Sequence, residues 1–547
     1  MRVDVIYTGA AFRPGDGSGI ANRLAVLGSR IVAVGADCDG LSAARTVDLG
    51  GNWVVPGFHD AHNHMAWFGL ALRDLDLGAP SIRSVDDVYA AVAAVAAERP
   101  PGSWIRGTGY DDNSLVGGHP QRAALDRVAG DHPVWLQHRS GHMAVVNSVV
   151  LNRIDLRTVP PGGDVVRDAE GRPTGLIREQ AQLLLRPLMY PTPTADLVEA
   201  IDRASRALLA EGVTSVQEAG VGGGLLGRTP VEVGAYQSAL ASGALGVRAT
   251  LMVVLEELHD IVGAVGAEAF GLDLGLRSGF GDDRLRIGPV KLWADGSLIG
   301  RTAALSEPYS DQNDGDRGYF QIEEHLLRES IIKVHEAGWQ IAAHAIGDRA
   351  VGAVLDAYAE ALRRFPRADH RHRIEHCGLI TAPDVARLAD LGVIPVPQAR
   401  FLHEIGDGML AALGEKRMDG CYRQQSFLDA GVVLPASSDR PVVKGAPLLG
   451  MADAVQRRTA KGVVLTPQER IQPADALRAY TWGSAYAAFR EHELGLLRAG
   501  YLADFAVLSA DPLVELARDE PAIDVVATAI DGVLVHDPHG LSAPADR

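Results

Sequence analysis

Between residues 54 and about 440 the chain alternates short apolar runs with amphipathic helical stretches, a rhythm that few folds accommodate. Candidate strands are 54–60, 134–138, 213–218, 290–294, 341–344, 373–376, 393–398 and 433–437; helical patterns fall at 195–211, 323–337, 349–364 and 381–391. Such alternation reads as parallel strands joined by crossover helices. Both a (β/α)8 barrel and a doubly wound open sheet satisfy it, and the pattern alone does not choose between them. The stretch from about 66 to 210 is longer than two such units need and predicts an inserted subdomain.

The two ends of the chain read differently. Val3, Val5 and Tyr7, then Leu24 and Val26, then Ile31 and Val34 stand between polar positions, and the segments 501–508 and 525–535 repeat the habit around an Asp531-Gly532 turn. Period two marks short strands, and chain ends often lie close together. Residues 1–57 and 497–547 are therefore expected to close one small β-sandwich, with the barrel-type region at 58–496.

Charge and cysteine usage remove several classes of function. The 69 Asp and Glu against 52 Lys and Arg leave a net charge of -17 with no basic patch, which argues against a nucleic-acid partner. The 3 cysteines are too few and too scattered for a disulfide framework and suit a reducing, cytoplasmic setting. The N-terminus turns polar too soon for a signal peptide. The longest uncharged apolar run, 88–97, is too short to span a bilayer, so no membrane partner is expected either.

The chemistry gathers where apolar runs end. His62 and His64 are two residues apart at the end of the first strand, where their rings can share a face and grip one divalent metal. In a chain with 18 His, an H-x-H pair by itself is ordinary. The pair gains weight because other polar residues end or interrupt later runs: Lys291 within Gly288 to Trp293, His344 after Ile341, His376 after Arg373, and Asp439 after Leu434. In a barrel all strand ends form one rim, where active sites lie. Histidine and aspartate are poor choices for core packing.

These segments resemble the amidohydrolase superfamily, and within it the YtcJ-like branch. The resemblance covers nearly the whole chain. It rests on Pro56-Gly57-Phe58 with Asp60-Ala61-His62-Asn63-His64, on 290–298 around Lys291, on His344-Ala345-Ile346-Gly347-Asp348-Arg349-Ala350, on Arg373-Ile374-Glu375-His376-Cys377, and on Ser438-Asp439-Arg440-Pro441-Val442. The fold it implies is a (β/α)8 barrel with a small β-sandwich made by both termini. The metal set it implies is His62, His64, Lys291, His344, His376 and Asp439, holding two Zn2+ bridged by an N-carboxylated Lys291. A carbamate there would turn an awkward buried cation into an anion able to bridge two cations. The chain departs from the branch at Ile299-Gly300-Arg301-Thr302, where Gly-Ser usually precedes Arg-Thr, so substrate contacts from that loop are less secure than the metal set.

The resemblance also implies a reaction. A bound divalent metal lowers the pKa of water to roughly 7. Asp439 would act as general acid and base, taking the proton from water and handing it to the leaving nitrogen. The expected substrate is a small molecule with a non-peptide carbon–nitrogen bond, specifically an N-substituted formamide giving formate and a primary amine. The alternative is a deaminase or cyclic-amide hydrolase acting on a heterocycle; deaminases of the superfamily usually use one metal and lack the bridging lysine, so Lys291 counts against that branch. No G-x-S-x-G or H-E-x-x-H occurs, and a binding protein that had abandoned catalysis would be expected to have lost at least one of the six ligands.

Further residues are weighed as substrate contacts: His142 in the segment 133–142, Trp293, Asp295 and Arg301 after Lys291, and Gln398 at a strand end. For Asp295 and Arg301 a salt bridge shaping the loop is the favoured reading over substrate contact. Trp67 and Phe68 are candidates for an apolar wall. The segment 222–227 fits G-x-G-x-x-G, but Pro230 follows it and no acidic residue lies about 20 positions on, so it is discounted as a dinucleotide site. Dimerisation is common in the superfamily, and a homodimer through the insert is the protein partner considered.

Overall fold

The computed structural model describes residues 1–78, 80–223, 227–263, 266–312 and 315–542. The middle of the 222–227 segment lies outside the described residues. Seven parallel strands stand side by side in chain order: Phe58–Asn63, Val213–Val221, Arg248–Val254, Leu285–Trp293, Ile341–Ala345, Arg373–His376 and Ile394–Val396. The ring is closed by the extended segment 434–439. The Ala61 N–H donates to Ala436 O at 3.0 Å and the Asp439 N–H to His62 O at 2.8 Å, while Ser437 Oγ donates to Pro397 O at 3.1 Å on the other side. Closure decides for the barrel over the open sheet. Nearly every position of these strands is buried, as expected where helices cover the outside and side chains fill the inside.

The helices form where the periodicity placed them. Thr194–Ala210, Glu324–Glu336, Asp348–Arg364 and Ala382–Leu391 each turn an apolar stripe onto the sheet. The last begins with Thr381, whose side chain accepts the Asp384 N–H, carries proline in its first turn, and stops at Gly392 with φ 67. A hydroxyl cap, an early proline and a left-handed glycine are the expected boundary chemistry.

Three strand expectations need correction. The run 134–138 is a strand but belongs to the insert, and the third barrel strand, Arg248–Val254, was not anticipated because no polar residue closes its apolar run. The run 54–60 is split at Gly57 into Trp53–Pro56, in a terminal sheet, and Phe58–Asn63, in the barrel. A Cβ on Gly57 would stand 2.3 Å from Thr214 Oγ1, so the crossing chain needs glycine there.

Both termini build the outer layers. One sheet contains Arg2–Thr8, Leu24–Leu27, Arg30–Val34 and Ser42–Asp48; the other joins Ala11–Phe12 and Trp53–Pro56 to the C-terminal strands Phe505–Leu508, Val525–Ile530 and Val533–His536. Tyr7, Leu24 and Val26 of the first meet Phe12, Phe505 and Ala529 of the second in one core. The insert is a six-stranded sheet in the order Gly163–Arg167, Pro173–Glu179, Met143–Val146, Val134–His138, Ile105–Tyr110 and Leu75–Asp76, packed against Val85–Glu98 and Arg122–Ala129. No helix among the described residues is long and apolar enough to cross a membrane.

Candidate active site

Strand register fixes the depth of each candidate ligand. Trp293 pairs with His344, His344 with Glu375 and Ala345 with His376, so His344 and His376 stand at the carboxyl rim while Lys291, opposite Ala342, lies two residues deeper. His62 is in the first strand and His64 follows it at the start of the helix Met65–Ala71. His376 and Asp439 have φ of 68 and 56, a left-handed backbone that non-glycine residues keep mainly where surroundings enforce it, often at functional sites.

The side chains converge. The His62 ring centroid is 5.3 Å from that of His64 and 4.9 Å from that of His376, and His376 is 4.5 Å from His344. One oxygen of Asp439 lies 3.3 Å from His62 Nε2 and 3.1 Å from His64 Nε2. Potential ligand atoms of His62, His376 and Asp439 all fall within 4.8 Å of one another.

Hydrogen bonds behind the rings decide which nitrogen faces the centre. His62 Nδ1 is held by the Glu375 carboxylate, itself gripped by Arg373 at 2.7 and 2.8 Å. His344 Nε2 donates to the Gly296 carbonyl at 3.0 Å, which turns Nδ1 inward. His376 Nδ1 donates to Gln398 Oε1 at 2.8 Å, since the Gln398 amide nitrogen is committed to Val396 O and Ser437 Oγ, both at 2.9 Å. Metal-binding imidazoles characteristically donate their remote N–H in this way.

Burial keeps the rings of His64, His344 and His376 neutral, the form that binds metal. It pushes His64 down to about 4 and His376 to about 3, and holds His344 well below the usual histidine range. Burial opposes ionisation of Asp439, yet the His62, His64 and His376 rings around it outweigh that and hold the carboxyl well below the ordinary range. The buried Nε2 of His62 has no hydrogen-bond partner, which is costly unless something positive occupies its lone pair. Imidazoles and a carboxylate are a fitting donor set for a divalent metal such as zinc.

Lys291 is completely enclosed, and burial pushes it down to about 8 against the attraction of Glu375 and Asp439. Its ammonium sits 5.3 Å from the Trp293 ring centroid, and no carboxylate among the described residues is within ion-pairing distance.

The expected substrate contacts sort differently. His142 lines the cavity above the ligands together with Ser140, Leu298, Ile299, Phe401 and Met409. Its Nδ1 is 2.7 Å from Glu179, which also accepts from Gln321 at 2.6 Å. Gln398 spends its whole amide on the protein. Asp295 does not meet Arg301: its oxygens accept the N–H groups of Ala304, Ile346 and Gly347 at 2.8 to 2.9 Å and pin the loop after His344. Arg301 turns to Asp311 and to Asn113 at 2.9 Å, on the outer side of the loop. Trp293 lines a separate cavity with Leu292 and Gln321. Trp67 packs 5.6 Å from the His64 ring, while Phe68 lies under Arg440.

Several partners escaped the sequence reading. Glu218, 3.9 Å from His64 Nδ1 and pushed up to about 8 by burial, ends an expected strand, so attention to strand ends could have found it. Glu375 precedes His376 in a quoted motif. Glu179 comes from the insert, and nothing local in its sequence signals that it reaches His142.

The sequence pattern of the amidohydrolase family matches residues 45–536. The N-substituted formamide deformylase of Arthrobacter pascens is 31% identical over 548 residues, covering 95% of this chain and 96% of that protein. The protein LONG AFTER FAR-RED 3 of Arabidopsis thaliana is likewise 31% identical, over 96% of this chain and 90% of its own. Among solved structures, an uncharacterized metal-dependent hydrolase from Pyrococcus horikoshii OT3 superimposes with a TM-score of 0.73 at 27% identity, covering 93% of this chain and 98% of that one.

Proposed function

The chain belongs to the amidohydrolase family and is a metal-dependent hydrolase of carbon–nitrogen bonds other than peptide bonds, and on that premise we propose that its substrate is a neutral N-substituted formamide, cleaved to formate and a primary amine. The observation that carries this reading is the cavity, about 30 Å³, whose lining joins His344, His376 and Asp439 with the apolar side chains of Leu298, Ile299, Phe401 and Met409. A narrow space beside the ligands favours the smallest acyl group, and apolar walls favour an uncharged N-substituent. The 31% identity to a formamide deformylase supports the same choice.

His62, His64, His344, His376 and Asp439 would hold the metal, with a carboxylated Lys291 as bridge between two ions, most suitably zinc. Metal bound there supplies Lewis acidity toward the carbonyl oxygen and a lowered pKa for water. The depressed Lys291 pKa favours the free amine, the form that adds carbon dioxide to become a carbamate. Asp439, between two imidazoles, takes the proton of the attacking water and delivers it to the departing nitrogen. His142, with Nδ1 committed to Glu179, offers Nε2 to the substrate and orients it. The apolar wall excludes bulk water and strengthens these interactions.

The test is a product-resolved screen of formamides, the matching acetamides, carbamates, cyclic imides and aminoheterocycles. Formate and amine should appear together, and a formamide should exceed its acetamide in kcat/KM by roughly tenfold or more, the effect of one unaccommodated methyl group. Ammonia from an aminoheterocycle with no turnover of formamides would replace this reading with deamination.

A further inference from the structure

The insert carries a second group of metal-type donors, away from the barrel ligands. Asp111 and Asp112 follow the strand Ile105–Tyr110, and His138 ends the adjacent parallel strand, with a register shift that brings it opposite Tyr110. His138 Nε2 lies 3.1 Å from Asp112 and 3.8 Å from Asp111, and His119 Nε2 lies 3.5 Å from the other oxygen of Asp112. Ligand atoms of Asp111, Asp112 and His138 fall within 4.8 Å of one another.

An ion triad alone accounts poorly for this arrangement. His138 is fully buried, yet its Nε2 makes no hydrogen bond: each carboxylate is near, but neither lies where the ring N–H would point. A buried nitrogen aimed into a gap between two carboxylates is the geometry a cation would complete. Burial opposes ionisation of the two carboxyl groups, yet His138 beside both, with Arg139 beside Asp111, holds them below the ordinary carboxylate range, so both offer anionic oxygens. Arg139 reaches Asp111 at 3.5 Å but shares its guanidinium with Glu404. On the far side of the ring, the Ser140 N–H donates to His138 Nδ1 at 3.2 Å and its hydroxyl lies 2.8 Å from the same nitrogen; a metal on Nε2 would move the ring proton to Nδ1, with the hydroxyl as its acceptor in place of the bond from the Ser140 N–H. Burial pushes His119 down to about 4, so it is a neutral donor. A cavity of about 180 Å³ lined by Asp112, His119 and Arg301 gives an ion a way in.

We propose that Asp111, Asp112, His119 and His138 form a second site for a divalent transition metal, separate from the barrel centre. Its role is to fix the end of the insert that reaches the substrate cavity. Ser140, which contacts His138, accepts the His142 N–H at 3.2 Å, so an ion holding His138 also steadies His142.

Zn2+ is the probe. In the His62→Ala/His64→Ala double variant, which removes the H-x-H pair of the barrel centre, elemental analysis after dialysis against Zn2+ should still find an equivalent of metal per chain that Asp112→Asn, added to it, removes. In the otherwise unaltered protein, Asp112→Asn and His138→Gln should each lower total Zn2+ by one equivalent, whereas Asp112→Glu should retain it; circular dichroism checks that every variant is folded. Metal content unchanged by Asp112→Asn and His138→Gln in the folded, otherwise unaltered protein would overturn the proposal, whatever the double variant does.

Discussion

His376 donates from Nδ1 to the side-chain oxygen of Gln398 over 2.8 Å, and that bond sets which face of the imidazole the centre receives. Gln398 was expected to touch substrate; its amide instead joins two neighbouring strand ends. We predict that Gln398→Leu folds but binds metal or turns over roughly 10- to 100-fold less well, the usual cost of losing a partner behind a metal-binding histidine. A raised KM with undiminished kcat and full metal content would return Gln398 to the substrate.

Asp439→Asn should preserve fold and most of the metal while slowing hydrolysis by roughly 10² to 10⁴ or more, because the amide cannot carry the proton. Rapid-quench or steady-state rates at saturating metal measure this. Wild-type turnover would remove Asp439 from proton transfer.

Lys291→Ala should lose metal together with activity, and formate or acetate should restore part of both by filling the vacated bridge. Lys291→Arg should resist rescue, since a permanent guanidinium charge would sit beside the cations. If Lys291 were a free ammonium binding substrate, the alanine variant would stay fully metallated and lose only affinity for anionic substrates.

Arg248 offers a prediction about stability. It is completely buried at the start of the third barrel strand, bonded to both oxygens of Asp504 at 2.7 and 2.9 Å and also to Asp531, and so ties the barrel to the C-terminal strands. Arg248→Met should destabilise by about 3 to 5 kcal/mol, because Asp504 is left as an uncompensated buried charge. Asp504→Asn in the same background should recover part of the loss, measurable by chemical denaturation. A loss below about 1 kcal/mol would mean that water reaches Asp504.

The barrel helices and most barrel strands were legible because their signals are local. Thr381, the early proline and Gly392 bound one helix by their own chemistry, and apolar runs ending in His344 and His376 mark strands that expose a polar end. The same rule failed at Arg248–Val254, which ends in valine, and at 134–138, whose polar end belongs to another sheet. Choice between open sheet and barrel depended on hydrogen bonds from 434–439 to the first strand, a pairing between residues hundreds of positions apart that no local pattern encodes.

The sequence by itself determined which residue types stand at strand ends, and so the family and the ligand candidates. Only the tertiary structure decided what each does with its remaining hydrogen-bonding capacity. Asp295 and Arg301, six apart in sequence, turn to different partners, while Glu179 reaches His142 and Glu375 reaches His62 across the fold. The physical reason is satisfaction of buried polar groups: an enclosed carboxylate or amide must bond to whatever donor the packing brings near, and that neighbour is set by chain crossings rather than by sequence spacing.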